Sequence, residues 1–247
     1  MRTVLAALTM FFAAGACGAG RTYAVMSFVG DGLLVVQHRT SAGSSLSPNA
    51  RQFVTLADPA FDRTALLAVD GALRRADPSA KVVLLGGRDP AALEAQSRTL
   101  GAPGAAQAVA DALRPHLPAT GATHLVLVLK SRHAGRLRAE EGHADAGELE
   151  GLGFYVDPTL VTRHDASGLA DRGFLAPFAY IDVALVDLGT GKVLAERPVH
   201  ASTPYPASKS GGLDPWEALP AEEKTRVLEA LLRKEVEAAV PALLGAR

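Results

Sequence analysis

The stretch Phe178-Ala-Tyr-Ile-Asp-Val-Ala-Leu-Val-Asp-Leu-Gly-Thr-Gly-Lys-Val-Leu-Ala-Glu-Arg-Pro-Val-His200 decides how this chain is read. Two apolar runs, Phe178 to Leu188 and Lys192 to His200, flank Gly189-Thr190-Gly191. Glycines tolerate positive φ, so the centre suits a tight turn and the whole suits a β-hairpin. A second apolar run, Leu125-Val-Leu-Val-Leu129 within His124 to Lys130, has the length and branching of a buried strand. The chain therefore builds a sheet, and the question is what covers it.

Helical patterns supply the cover. Phe61 to Arg75 carries Leu66, Leu67, Val69 and Leu73 at near-helical spacing, with Asp62 as a cap and Asp77-Pro78 as the stop. Lys81 to Leu85 reads as a short buried strand. Asp89-Pro90 then provides an N-cap and first residue for a helix to about Leu100. Ala105 to Leu113 is another helix, ended by Pro115 and Pro118. From about Pro220 to Val240, Val227, Leu228, Leu231, Leu232, Val236 and Val240 make one apolar stripe of a long amphipathic helix. Near the start, Tyr23 to Val29 and Leu33 to Gln37 flank Gly30-Asp31-Gly32, which predicts a first hairpin followed by a solvated loop over 39–52. Helices between strands early and a hairpin before one long helix late predict an α/β fold. Its form is a single mixed β-sheet with helices packed on it.

The N-terminus sets the address. Arg2 precedes the uncharged run Val4 to Ala16, and Ala14-Gly15-Ala16 leads into Cys17, the order of a secretory signal. The run falls short of the ~20 apolar residues that span a bilayer. Residues 1–16 thus read as a signal peptide, 17–22 as a tether and 23–247 as one domain. Within that domain, about 131–176 reads as an exposed excursion. The mature chain has 231 residues (247 minus 16), a size that fits one domain. Cys17 is the only cysteine, so no internal disulfide is available in an oxidising compartment. A thiol at a mature N-terminus there invites lipidation, and Cys17 is the expected lipidation site; ordinary cleavage near Ala16 or Ala19 is the alternative.

Charge excludes one class of partner. Lys and Arg number 25 and Asp and Glu 26; without Arg2 the balance is 24 − 26 = −2. No long-range positive field exists to attract nucleic acid.

Residues able to carry chemistry are few. His124, His133 and His143 lie near Asp145 and Glu148, but without the i, i+4 spacing of helical metal ligands. No metal and no cofactor is expected; His133, His143 and Asp145 are the residues that would form a metal site if one existed. Gly86-Gly87 between a strand and a helix lacks a phosphate-loop pattern and reads as a turn. Ser44, Ser45 and Ser47 lack a nucleophile elbow. Asp31 is a lone carboxylate best explained by its turn. Arg132, Arg136 and Arg138 face the acidic run Glu140, Glu141, Asp145, Glu148 and Glu150, which suggests neutralisation across a hairpin. Trp216, the only tryptophan, pins the linker before the last helix or anchors a partner. No catalytic residue is assigned. A periplasmic hydrolase using Asp31 or the histidine-rich excursion, and a small-molecule module at Gly86-Gly87, are the alternative readings.

Several segments together resemble the envelope accessory lipoproteins of the CsgG and LpoB kind. They are the signal ending at Cys17, the strand Tyr23 to Phe28, Thr120-Gly-Ala-Thr-His124 leading into Leu125 to Val128, and Ile181 to Val193 with its Asp187-Leu-Gly-Thr-Gly191 turn. The long 131–176 segment and the first loop depart from that pattern. The resemblance implies a non-enzymatic protein on the periplasmic side of a bacterial envelope, held at the outer membrane by its N-terminal lipid alone and docking to another envelope protein.

Overall fold

A computed structural model describes residues 21–30, 32–39, 49–56, 60–86, 89–117, 120–139, 142–163, 170–203, 205–206 and 215–245. Residues 1–16, expected as a signal peptide, and Cys17, Asp31, Ser44, Ser45, Ser47 and Gly87 lie outside them.

The strands are β1 (Thr22–Phe28), β2 (Gly32–Gln37), β3 (Ala50–Thr55), β4 (Lys81–Leu84), β5 (His124–Lys130), β6 (Arg132–Ala139), β7 (Gly142–Arg163), β8 (Ala170–Asp187), β9 (Lys192–Ser202) and the short β10 (Tyr205–Pro206). The amphipathic runs become α1 (Ala60–Ala76), α2 (Pro90–Thr99), α3 (Ala105–Leu113) and α4 (Ala221–Gly245). The sheet runs β3-β2-β7-β8-β5-β1-β4 and is mixed, as its sequence implied.

β8 organises it. One edge pairs with β9 in the predicted hairpin, from Phe178↔Ser202 to Asp187↔Lys192. The opposite edge takes β7 as far as Gly151↔Tyr180 and then β5 from Lys130↔Ile181. Two wings therefore leave the same edge of β8: β5–β1–β4, all parallel, and β7–β2–β3. Gly151 N donates to Ser131 O (3.1 Å) where they diverge.

Each face has its own cover. α1 and α4 close one face, where Phe61, Val69, Leu73, Leu228, Leu232 and Val236 meet Tyr23, Val25, Val126 and Phe154. α2 and α3 close the other over the first wing, setting Ala92, Ala95, Ala106 and Val109 on Met26, Leu125 and Leu127. Small residues on these helices allow close approach to the strands. Burying a Leu- or Phe-sized side chain contributes roughly 1.5–3 kcal/mol, so these two layers supply most of the driving force.

Four expectations are corrected. First, β1 and β2 do not pair: β1 lies between β4 and β5, while β2 lies between β3 and β7. Both runs are continuously apolar, because both are interior strands buried on two faces; Gly30 (φ 89°) passes the chain from one wing to the other. Second, 50–55 of the expected loop is the edge strand β3. Third, β4 is an edge strand with Lys81 and Leu84 exposed. Fourth, much of 131–176 is interior. The hairpin β6–β7 folds Leu137, Ala146 and Leu149 onto Val36, Tyr155, Phe174 and Phe178, and so covers the second wing where no helix reaches. Phe154 to Val156 is the middle of a 22-residue central strand.

Candidate functional site

Polar groups concentrate where the wings part. Asp62 sits in the first turn of α1 and does not cap it. Its Oδ1 accepts from Ser27 Oγ (2.8 Å), Val29 N (3.0 Å) and Gly30 N (3.3 Å), tying the end of β1 to the helix. Burial raises the Asp62 pKa, against which these donors and Lys130 pull it down. Gln96 of α2 makes a matching clamp on the other face: Nε2 donates to Phe28 O (3.0 Å) and Oε1 accepts from Lys130 N (3.0 Å). Every partner here is a neighbouring backbone or side chain, so this junction holds the wings together.

Two clefts flank it. The first, of about 240 Å3, lies on the α4 face of the second wing and is lined by Val35, Gln37, Gln52, Val54, Val156 and Trp216. The registers Leu33↔Val54 and Val35↔Gln52 place the β2 and β3 residues on one face. Trp216 stands in the 3-10 turn before α4, with its ring edge-on to Phe154 (centroids 5.6 Å apart). The buried Lys224 ammonium lies 3.9 Å from the Trp216 ring centroid, a cation–π contact that helps offset its desolvation. The predicted pinning role of Trp216 is thus accounted for, while its half-buried face walls a cleft. β3, at the rim, is an edge strand with Phe53 53% exposed on its other face.

The second cleft, of about 330 Å3, lies on the α2–α3 face beyond the end of β5. The turn Gly101-Ala102-Pro103-Gly104 forms one wall, and His133, Asp182, Glu196 and Pro198 form the other. The alternation of β8 and β9 explains the grouping: Asp182↔Pro198 and Ala184↔Glu196 put Asp182 and Glu196 diagonally on one face. Burial, then the Glu196 charge, push the Asp182 pKa up to about 7, with Ser131 opposing. Ser131 is 1% exposed and turns its hydroxyl toward Asp182, where it works against the effect of burial. The His133 and His200 rings are 4.1 Å apart, and His200 stacks on Tyr180 at 5.1 Å. Burial and then the neighbouring His133 lower the His200 pKa.

The residues singled out from sequence distribute as follows. His133 reaches the second cleft. His124 is at the opposite end of β5, bonded to Thr123 Oγ1 (2.8 Å) and packed on Tyr23 (5.4 Å); burial, then Arg21, lower its pKa. His143 and Asp145 are placed as backbone positions opposite Arg138 and Arg136. Among the described residues no three His, Cys, Asp or Glu side chains group as metal ligands. Gly86 is exposed with open space around it. Arg132 pairs with Glu150 (2.7 Å), and Arg51 joins them (3.6 Å), so charge across the hairpin is compensated at this register as anticipated. Sequence reasoning missed Asp182 and Glu196. Their signal was present: Asp182 interrupts an otherwise apolar strand, on the face that Ala184 and Val186 bury.

No family model matches the chain, and no curated protein matches it. Among solved structures, the hypothetical protein CT253 from Chlamydia trachomatis is similar at 15% identity, covering 93% of this chain and 100% of that one, with a TM-score of 0.35. A likeness that slight bears on neither the fold nor the function of this chain.

Proposed function

We propose that this chain is an exported, lipid-anchored protein of the bacterial envelope that works by binding another envelope protein, in the manner of the CsgG- and LpoB-like lipoproteins it resembles. Export and anchoring rest on Met1 to Cys17, with the lipid on Cys17 holding the domain at the periplasmic face of the outer membrane. Each buried CH2 of an acyl chain adds about 0.8 kcal/mol, so two or more chains give durable attachment.

Binding rests on one observation, the cleft at Trp216 beside the edge strand β3. An extended partner segment that adds to β3 lays alternate side chains on the face of Gln52 and Val54. An apolar side chain at such a position enters the cleft and meets the Trp216 ring, the residue type most often found as an interface anchor. Main-chain pairing supplies affinity and the cleft supplies selection.

A photocrosslinking residue at Gln52, expressed in the native host, tests this. The expected result is one dominant adduct with an envelope protein, lost when Trp216 is changed to Ala in a chain that remains folded. Absence of any adduct at Gln52, or an adduct indifferent to Trp216→Ala, would refute the binding mode.

A further inference from the structure

We propose that the side chain entering the Trp216 cleft is a tyrosine, an apolar ring with a hydroxyl tip, carried by the segment that adds to β3. This rests on the strand-addition reading above and fixes the residue type left open there.

Reach narrows the choice first. On the cleft face Val35 stands opposite Gln52 and Phe154, and Gln37 opposite Ala50 and Val156. The floor therefore runs over β3, β2 and β7, and Trp216 rests edge-on against Phe154 of β7. Neighbouring strands are about 4.8 Å apart, so β2 lies roughly 10 Å from a strand added beyond β3. A Val, Leu or Ile side chain ends over β3. An aromatic or other long side chain passes β3 and fills the space in front of Trp216. A ring also gains from an offset or edge contact with the indole, adding a third member to the Phe154–Trp216 pair.

Charge narrows it further. The Lys224 ammonium lies 3.9 Å from the Trp216 ring centroid, so a Lys or Arg of the partner meets a cation already on that ring. A carboxylate would exchange water for a lining of Val35, Val54, Val156 and indole, which is costly.

The hydroxyl answers the two polar members of the lining. Gln37 and Gln52 are diagonal neighbours on adjacent strands. Neither carboxamide has a hydrogen-bond partner among the described residues, and both side chains are exposed, so water serves them in the free protein. A partner ring laid over them displaces that water. A phenyl then leaves amide groups unpaired, and an unpaired group costs more than a made bond gains. A phenol accepts from one amide N–H and donates to the carbonyl of the other.

The probes are blocked heptapeptides Thr-Thr-Val-X-Val-Thr-Thr with Tyr, Phe, Leu, Arg or Glu at X, titrated into the full chain carrying Cys17→Ser. Trp216 is the only tryptophan, so its emission, excited where tyrosine is silent, reports the cleft. The Tyr peptide should shift that emission saturably. It should bind several-fold to about tenfold tighter than the Phe peptide, the span of one neutral hydrogen bond, and tighter still than the Leu peptide. The Arg and Glu peptides should be inert. Gln37→Leu combined with Gln52→Leu, both at exposed positions, should erase the preference for Tyr over Phe while Phe binding persists. Methylating the three central amide nitrogens of the Tyr peptide removes main-chain pairing and should abolish binding. No binding by any peptide at millimolar concentration, or binding that survives methylation, refutes strand addition and the tyrosine with it. Methylation-sensitive binding in which the Phe, Leu, Arg or Glu peptide matches the Tyr peptide leaves strand addition standing and overturns the tyrosine. A Tyr preference that survives the double Gln change overturns it as well. So does displacement of the Tyr peptide by methyl N-acetylglucosaminide, which would assign the cleft to a glycan.

Discussion

Replacing Asp182 by Asn should make the protein more stable at pH 8 and leave it unchanged near pH 4. Burial and the Glu196 charge move this carboxyl from 3.8 to about 7. Between those values the native state holds a proton that the unfolded chain has already lost. Stability therefore falls as pH rises through that window, and the full cost is present above pH 7. A shift of about three units corresponds to a ceiling of roughly 4 kcal/mol. Asp182 is only half-buried, and water at the cleft mouth screens it, so about 1–2 kcal/mol is expected. Asn removes the charge and keeps a carbonyl toward Ser131. For a domain of this size the gain is about 2–8 °C in Tm at pH 8. Thermal melts of parent and Asp182→Asn at pH 4, 6 and 8 give the curve directly. A gain that grows with pH supports the reasoning. No gain at pH 8, or a loss, would refute it, since Asp182 would then be a satisfied carboxylate at neutral pH.

Other perturbations read the scaffold. Gly153 of β7 lies where an added Cβ would overlap the Leu34 carbonyl of β2 and the Phe178 ring, so Gly153→Ala should part β2 from β7. The expected cost is about 3 kcal/mol, a Tm drop of at least ~6 °C, whereas Gly86→Ala, in open space, should stay within ~0.5 kcal/mol by urea denaturation. Asp62→Ala strands Ser27 Oγ and the amides of Val29 and Gly30; it should lower stability by about 2–4 kcal/mol, with Asp62→Asn, which keeps an acceptor, costing less than half as much. Trp216→Phe should preserve the edge contact with Phe154 and cost under ~1.5 kcal/mol, while Trp216→Ala should cost roughly 3 kcal/mol in the same assay.

The sheet was legible wherever a run carried its own local signal. Phe178 to His200 paired as a hairpin because both arms and the turn lie within one stretch. Asp89 caps α2 by accepting from Ala92 N (3.0 Å), a contact between residues three apart. Non-local choices were not legible. Gly30-Asp31-Gly32 looks like a hairpin turn, and only the presence of β5 and β7 as better parallel partners makes it a crossing between wings. The polar 131–150 segment looked solvated because Leu137, Ala146 and Leu149 are spaced among charges; a hairpin that buries one face needs no more than that. The second cleft escaped for the same reason. Asp182 and Glu196 come from separate strands and Ser131 from the junction of β5 and β6, and their meeting depends on β8 receiving β5 and β9 on opposite edges.

Mass spectrometry of the N-terminal peptide, from protein isolated out of its host's envelope, tests the central claim most directly. The account predicts a chain that begins at Cys17 and carries diacylglycerol on its sulfur, with Cys17→Ser leaving the membrane fraction. A peptide that begins at Met1, unmodified and recovered from the cytosol, would contradict it.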